Sequence, residues 1–386
     1  MAGLEITFWA SLIAIVYFYG GYPLVLWLVT KFFSRSQKID FAQSVETTRV
    51  SMIISAYNEE GVIAGKIENA LSLDYPQELL QIIIVSDGST DRTGEIVAKF
   101  ASRGVVLQHF DKRIGKTACL NLVIPSASGR VVVFSDANSI YGKGALKALL
   151  RPFQDESVGF VTGWTSYGSG EGVPVASSIG LYSRLELMTK DLESKLGSCI
   201  GADGAIFAVR KDLYSPLKEY DINDFVIPLS INEKGFRGVL NREAICFEKD
   251  AGGTAGEFQR QVRITNRTIR AIFNYRQLLN PLKYGWFSIQ LISHKLGKFL
   301  VPFFMAALLA TNLALIEHGF EYRVTLVAQL LFYVGAILGL HGSGLKLIGR
   351  PAAAANLFVL VNAAIAVAWI KYAQGETYTT WAPTKR

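Results

Sequence analysis

Two kinds of hydrophobic pattern alternate along this chain of 386 residues. From residue 49 to 136, short runs of valine and isoleucine, such as "QIIIVSDG" at 81–88, alternate with amphipathic segments. Near both termini the apolar runs are far longer. Short apolar runs separated by helical segments are typical of a mostly parallel β-sheet covered by helices on both faces. The pattern therefore predicts an α/β domain in the middle of a membrane protein.

The predicted elements of the middle segment follow from this alternation. We expect strands in "RVSMIISA", "LLQIIIVSD", "VVLQHF" and "GRVVVFSD", and helices over 62–73, 91–103 and 116–127. The domain they belong to is predicted to cover residues 48–280.

The first long apolar run, residues 6–33, carries no charge before Lys31 and exceeds the ~20 residues that a helix needs to cross a bilayer. A signal peptide is the alternative, but the run lacks a basic start and a small-residue cleavage pattern. Residues 1–33 are therefore predicted to form an N-terminal transmembrane helix. About three more are predicted within 299–371, at 299–316, 324–341 and 354–370.

The segment 281–298 mixes aromatic residues with His294, Lys295 and Lys298. It is predicted to be an amphipathic helix at the membrane interface.

The positive charges beside the apolar runs predict how the chain is oriented in the membrane. Lys31, Arg35 and Lys38 follow the first span, which favours a cytoplasmic location for residues 34–298. Three later crossings would place the tail 372–386 on the other side, whereas Lys346 and Arg350 favour a cytoplasmic 341–353 loop. The side of the membrane that holds the tail is left open.

Charge and cysteine content limit the classes of molecule that this chain is expected to bind. The formal net charge of +7 suits anionic head groups or an anionic small substrate, and no basic and aromatic array suggests nucleic acid. Cys119, Cys199 and Cys246 are odd in number and lack metal-ligand spacing, so buried thiols in a reducing compartment are expected.

Polar side chains follow three predicted strands. They are Tyr57, Asn58 and Glu59 after the first, Asp87 and Asp91 after the second, and Asp136 after the fourth. Turn formation or helix capping explains any one of them alone. Because ligands bind beyond the carboxyl ends of parallel strands, the set favours a binding site.

Lys116 stands in "DKRIGKTACLN", just before a predicted helix, where positive charge and main-chain donors favour phosphate. The P-loop spacing is absent, so a solvated basic loop is the alternative.

Six segments in order carry a family resemblance: "SAYNEE", "VSDGSTDRT", "GKTACLN", "FSDANS", "GADGAIFAVR" and "DINDFVIPLSINEKGFR". Together they resemble the family-two glycosyltransferases with a GT-A fold, a group that includes the cellulose, chitin and hyaluronan synthases and bacterial exopolysaccharide enzymes. The resemblance covers roughly residues 48–300. It implies a Rossmann-like sheet domain, an enzyme, and a bacterial inner-membrane location with the domain in the cytoplasm.

By this resemblance, the nucleotide of a UDP-sugar contacts Tyr57, Asn58, Glu59 and Asp87, with Lys116 near the diphosphate. Gln261 and Arg263 of "RQVRI" match a further diphosphate motif, in which Ile264 stands where polymer-extending members have Trp.

The resemblance also implies a metal and a base. Asp136 and Asn138 occupy the D-x-D position, where alternate residues leaving a strand point to one side and could bind Mg²⁺ or Mn²⁺. Asn138 is a departure, since an amide oxygen adds no charge. Asp224 matches the general base of inverting members, with Asp221 as the competing choice and a helix cap as the structural alternative.

Gly201, Asp203 and Gly204 match the acceptor-side loop, although a plain turn between strands would also explain them. The expected function is transfer of a hexosyl or N-acetylhexosaminyl unit to a cell-surface polysaccharide or lipid-linked saccharide, with inversion and with metal dependence. Two alternatives remain: a processive synthase that also secretes its polymer, and a non-catalytic membrane scaffold.

Overall fold

The computed structural model describes residues 1–33, 47–167, 181–248, 256–340 and 349–379. Arg35, Lys38 and Lys346, which enter the topology prediction, lie outside these ranges. The chain divides into two compact units, and each is described by itself. The sheet unit comprises residues 26–252, 275–288 and 378–386, and the helical unit comprises residues 1–25, 253–274 and 289–377.

The described residues form one sheet of eight strands, in the order β3-β2-β1-β4-β7-β6-β8-β5. The strands are β1 Val50–Ala56, β2 Leu80–Asp87, β3 Val105–Phe110, β4 Val131–Asp136, β5 Ile140–Tyr141, β6 Val158–Tyr167, β7 Ile206–Arg210 and β8 Arg237–Glu248. The first four strands run parallel, as predicted. The sheet as a whole is mixed, because β7 runs antiparallel to both β4 and β6.

The described α-helices are α1 Ala2–Val16, α2 Tyr22–Phe33, α3 Ile63–Leu71, α4 Thr93–Ala98, α5 Lys116–Val123, α6 Ala145–Leu150, α7 Leu181–Leu196, α8 Asn223–Glu233, α9 Glu257–Asn274, α10 Pro281–Tyr284, α11 Trp286–Leu291, α12 Gly297–Ala314, α13 Phe320–Leu340 and α14 Gly349–Ala373.

The core of the sheet unit explains the continuous apolar runs in the sequence. Successive residues Ile53 and Ile54 are both buried, and so are Val132 and Val133 on the neighbouring strand. Side chains of successive strand residues point to opposite faces, so both faces of the sheet are covered.

Strand order determines where a ligand can bind. Strands β2 and β3 lie on one side of β1, and β4 lies on the other side. The strand order therefore reverses between β1 and β4, which makes this position a topological switch point. Ile206, at the start of β7, pairs with Ser135, near the end of β4, and β6 runs parallel to β8. One edge of the sheet, the carboxyl rim, therefore holds the start of β7 and the ends of β1, β2, β4, β6 and β8.

The helical unit contains most of the long apolar helices. Four stretches of the described chain are long and apolar enough to cross a membrane: Ala2–Phe33, Trp286–Ala314, Phe320–Gly339 and Pro351–Ala373. Most of the predicted interfacial segment 281–298 thus belongs to an apolar stretch that begins at Trp286, after Gly285 with φ +54°. Within this unit, Phe8 packs edge-on against Tyr322.

Candidate functional site

Asp87, the last residue of β2, holds the loop that leads to Lys116. Its carboxylate accepts hydrogen bonds from the main-chain N–H of Ile114 at 2.7 Å and of Gly115 at 3.0 Å. Gly115 has φ +94°, a conformation that favours glycine. Asp87 is only 2% exposed, so its carboxylate faces the protein and not open solvent. Its bond to Gly115 fixes the position at which α5 begins.

Lys116 and Asp136 meet at the switch point. Lys116 Nζ donates to Asp136 Oδ1 at 2.7 Å, and their side chains are 20% and 38% exposed. Both side chains therefore remain accessible from the rim. A lysine beside an aspartate can bind a diphosphate and its metal ion at the same time. The ammonium attracts the negative diphosphate, and the carboxylate attracts the positive metal ion.

The loop after β1 is tied to the loop after β2. Asn58 has φ +53°, and its Oδ1 accepts from the main-chain N–H of Thr90 at 2.8 Å. The N–H of Glu59 donates to Thr93 Oγ1 at 2.9 Å. Asn58 and Asp91, whose carboxylate accepts from the N–H groups of Glu60 and Thr93, thus act as turn and cap residues.

Tyr57 presents its ring to a cation. The guanidinium of Arg113 lies 3.8 Å from the ring centroid, close enough for a cation–π interaction. Arg113 adds positive charge to the loop that carries Lys116, and no sequence motif indicates that it would stack on Tyr57.

The described residues offer a metal only a small donor set. They contain no group of three His, Cys, Asp or Glu side chains placed to hold an ion. Asp136 and Asn138 would supply two oxygens. That set fits Mg²⁺ or Mn²⁺ held jointly with substrate phosphates and water, because such ions commonly bind through one or two carboxylates plus phosphate oxygens.

Asp224 lies in the first turn of α8. Its Oδ1 is buried and has no hydrogen-bond partner among the described residues. Its Oδ2 lies 2.8 Å from the place that a Cβ on Gly204 would take, so glycine at that position leaves room for the carboxylate. Asp221, the competing base, is buried and accepts from the N–H of Lys218 at 2.8 Å.

Burial raises the pKa of Asp224 above its ordinary value. The positive charges of Lys116 and Lys190 oppose this rise, and the negative charges of Asp136 and Asp203 add to it. A carboxylate with a raised pKa and a free oxygen has the properties expected of a general base.

The acceptor-side loop is held by its own aspartate. Asp203 Oδ2 accepts from the N–H and the hydroxyl of Thr165, at 2.9 and 2.8 Å, and its Oδ1 accepts from the N–H of Ala205 at 3.1 Å. A Cβ on Gly201 would come within 3.3 Å of the Phe225 ring. Asp203 therefore fixes the loop to β6, and a role in binding acceptor hydroxyls stays a prediction.

Lys190, on α7, is a charged neighbour of the candidate base that sequence reasoning missed. Burial lowers the pKa of Lys190, but the carboxylates of Glu186, Asp203 and Asp224 outweigh this, and the net pKa is raised. No sequence motif marks it, because it reaches the site from the side of a helix.

The structure thus brings Asp87, Lys116, Asp136 and Asp224 together at the carboxyl rim. Asp87 binds the residue before Lys116, Lys116 pairs with Asp136, and both charges act on Asp224. Gln261 and Arg263 lie on α9 in the helical unit, where Gln261 donates to Glu257 at 2.6 Å. Their part in diphosphate binding stays a prediction.

The tail returns to the sheet unit at Tyr378. The carbonyl oxygen of Thr379 lies 3.2 Å from the place that a Cβ on Gly115 would take. The last described residues of the chain therefore touch the loop that carries Lys116.

Comparison with known proteins agrees with this geometry. Residues 51–216 match the model for glycosyl transferase family 2. The probable glycosyltransferase YdaM of Bacillus subtilis is 36% identical over 124 residues, which are 31% of this chain and 30% of that protein. The beta-monoglucosyldiacylglycerol synthase of a Nostoc species is 34% identical over 116 residues, 29% of this chain and 25% of that protein.

Two longer matches have lower identity. The poly-beta-1,6-N-acetyl-D-glucosamine synthase of Staphylococcus aureus is 24% identical over 231 residues, 56% of this chain and 54% of that protein. This chain thus matches these three curated relatives over between a quarter and about half of their own length. A mannosyltransferase of Pyrobaculum calidifontis, solved in complex with GDP-Man and Mn²⁺, superposes with a TM-score of 0.72 at 19% identity, over 97% of this chain and 99% of that one.

The sheet order, the rim and these similarities agree with the resemblance found in the six motifs. Residues 51–216 therefore match the glycosyl transferase family 2 model within a GT-A-like fold, and the described part of the chain also contains four stretches that are long and apolar enough to cross a membrane.

Proposed function

We propose that this protein is an inverting glycosyltransferase at a bacterial inner membrane, with its sheet unit in the cytoplasm. It transfers a sugar from a UDP-sugar to a cell-surface polysaccharide or a lipid-linked saccharide. The observation that carries the proposal is the Lys116–Asp136 pair at the switch point, whose charges act on the buried carboxylate of Asp224, within a region that matches glycosyl transferase family 2.

The chain's residues would divide the chemistry among them. Asp224 takes the proton from the acceptor hydroxyl as that oxygen attacks the anomeric carbon, and the nucleoside diphosphate leaves from the opposite side. Lys116 donates to the departing diphosphate, whose negative charge grows as the bond breaks.

Asp136 and Asn138 would hold a divalent cation beside the diphosphate oxygens, and such a cation acts as a Lewis acid when bound. Tyr57, Asn58 and Glu59 would hold the base and ribose, next to the loop that Asp87 fixes. On the acceptor side, Gly201, Asp203 and Gly204 shape the loop against which the sugar lies.

The test is a screen for nucleoside diphosphate release by the full chain in detergent or lipid. UDP-glucose, UDP-N-acetylglucosamine, UDP-galactose and GDP-mannose would each be tried with Mg²⁺, Mn²⁺ or EDTA, and with and without lipid extract. Metal-dependent release from one UDP-sugar supports the proposal. Release from GDP-mannose alone would overturn the UDP assignment, and binding without any turnover would favour the non-catalytic scaffold.

A processive synthase is the second candidate, and the match over 231 residues to a poly-beta-1,6-N-acetyl-D-glucosamine synthase favours it. Ile264 in place of the expected Trp speaks against it. Product length decides: a ladder of long chains supports the synthase, and a single added sugar supports the first proposal.

A further inference from the structure

Lys66 is a lysine inside the protein core. It lies on α3 between Ile63 and Ile67, and its exposed fraction is 0%. Lysine is almost never fully buried unless its ammonium is paired, because desolvating the charge is unfavourable. Burial accordingly lowers the pKa of Lys66 to about 7, against the opposing effects of Cys246, Asp136 and Glu248. Simple packing would be served better by an apolar residue.

The ammonium of Lys66 is directed at the segment that follows Asp136. Its Nζ donates to the carbonyl oxygen of Ser139 at 2.5 Å and lies 4.1 Å from the centroid of the Tyr141 ring. One turn further along α3, Asn69 exchanges two hydrogen bonds of 2.8 Å with the main chain of Tyr141. Helix α3 therefore fixes residues 139–141 from one side.

The same segment is held from the opposite side by β8. Ile140 and Tyr141 pair with Phe247 and Cys246 of that strand. The Ser139 hydroxyl donates to Glu248 Oε1 at 2.5 Å, which places a carboxylate near the Lys66 ammonium and offsets its charge.

Tyr141 keeps several anchors that do not involve Lys66. Besides Asn69, its hydroxyl bonds to the carbonyl oxygens of Phe134 and Ala205, at 3.0 and 3.1 Å. Ser139 is different, since Lys66 holds its carbonyl and Glu248 its hydroxyl. Ser139 directly follows Asn138, so these two contacts act where the candidate metal-binding turn ends.

We propose that Lys66 is a positioning residue for the turn Asp136–Asn138: by holding the Ser139 carbonyl, it fixes the two side chains that bind the metal and diphosphate of the donor. This inference rests on the proposed function. Groups that orient metal ligands from behind typically change metal affinity by about 10- to 100-fold when they are removed.

The test compares Lys66→Met with the wild-type full chain in detergent. Methionine keeps the length of the side chain and removes the donor and the charge. Binding of UDP, and separately of GDP, is measured by calorimetry with Mn²⁺ and with EDTA. We expect Lys66→Met to weaken the Mn²⁺-dependent binding about 10-fold or more, while binding in EDTA changes little.

Lys211→Met is the matched control. Lys211 Nζ also donates to main-chain carbonyls, those of Pro125 at 2.9 Å and of Ala127, but these residues come before β4 begins at Val131. Lys211→Met thus removes a similar lysine contact near the opposite end of β4. Nucleotide binding by this variant should match the wild type under both conditions.

Hydrogen exchange provides a readout that does not depend on function. In Lys66→Met, the main-chain amides of residues 136–141 should exchange faster than in the wild type, while those of β1 and β2 should not. If Lys66→Met does not fold, Lys66→Gln replaces it, because glutamine removes the same ammonium from the Ser139 carbonyl while keeping a polar side chain.

The outcomes separate the two proposals. Unchanged or tighter Mn²⁺-dependent binding in a folded variant would overturn the role of Lys66, and so would an equal loss with Mn²⁺ and with EDTA. A wild type that binds neither nucleotide would show that the proposed function itself has failed, and the inference would fall with it.

Discussion

The parallel half of the sheet, β1 to β4, and the mixed half, β5 to β8, both carry aspartates with hydrogen-bond donors at the carboxyl rim, but the mixed half also carries Asp224, which differs from the rest. On the parallel half, Asp87 accepts three main-chain contacts and Asp136 accepts from Lys116. On the mixed half, Asp224 has a buried oxygen with no hydrogen-bond partner among the described residues, and its pKa is raised. Donors stabilise a carboxylate in its charged form, whereas burial without donors makes it more basic.

The comparison explains how one rim can hold a nucleotide and also remove a proton. The parallel half presents carboxylates that are held by hydrogen-bond donors, and the mixed half presents a buried carboxylate whose pKa is raised.

The largest effect is expected from Asp224→Asn. Loss of a general base should lower kcat about 10²- to 10⁴-fold, while nucleotide affinity stays within error, since the base acts on the acceptor. Asp221→Asn is the control, because Asp221 already accepts from the Lys218 N–H. Full activity in the first variant and loss in the second would move the base to Asp221.

The same substitution should raise the melting temperature at neutral pH. The folded-state pKa of Asp224 is raised, so its contribution to stability is present below the unfolded-state pKa and is lost as pH rises through the folded-state pKa. Asparagine carries no charge and escapes this loss. Thermal unfolding at pH 7 and at pH 4 checks the sign: the gain should be larger at pH 7.

Lys116→Met tests the parallel half. Removing a cation from a developing diphosphate charge should lower kcat about 10²- to 10³-fold, and it should also weaken nucleotide binding. Lys112→Met is the matched control, since Lys112 is exposed on the same loop. Steady-state kinetics and calorimetry measure both effects. Equal losses in the two variants would mean that general positive charge is responsible, without a specific contact.

Gly204→Ala should disturb the mixed half alone. Its Cβ would come 2.8 Å from Asp224 Oδ2, so the carboxylate must move. A displacement of about 1 Å can lower the rate about 10²-fold, with nucleotide affinity unchanged. Gly94→Ala is the control, because a Cβ there meets no atom within 4 Å. If both variants keep wild-type kcat, the position of the Asp224 carboxylate does not limit the reaction.

Much of the parallel half could be predicted from local pattern. Continuous Val and Ile runs identified β1 to β4, and the polar residues after β1, β2 and β4 identified the rim. The insertion of β7 between β4 and β6 could not be predicted, because its residues lie 71 to 79 positions from their partners in β4 and 45 to 49 from those in β6. Lys66 and Lys190 were missed for a related reason. Each looks like an ordinary helix residue in the sequence, and each acts on a residue that is distant along the chain.

The smallest expected effect is a shift in pH dependence from Lys190→Met. The positive charge of Lys190 lowers the pKa of Asp224, so its loss should raise that pKa further. Activity then falls at a higher pH on the acid side, because the base must be ionised, while kcat at high pH stays near the wild-type value. Lys195→Met is the control, since Lys195 on the same helix pairs with Asp191 at 2.7 Å. If kcat falls at the same acidic pH in the wild type and in Lys190→Met, Lys190 does not change the pKa of Asp224. The contrast between the two halves would then depend on burial alone.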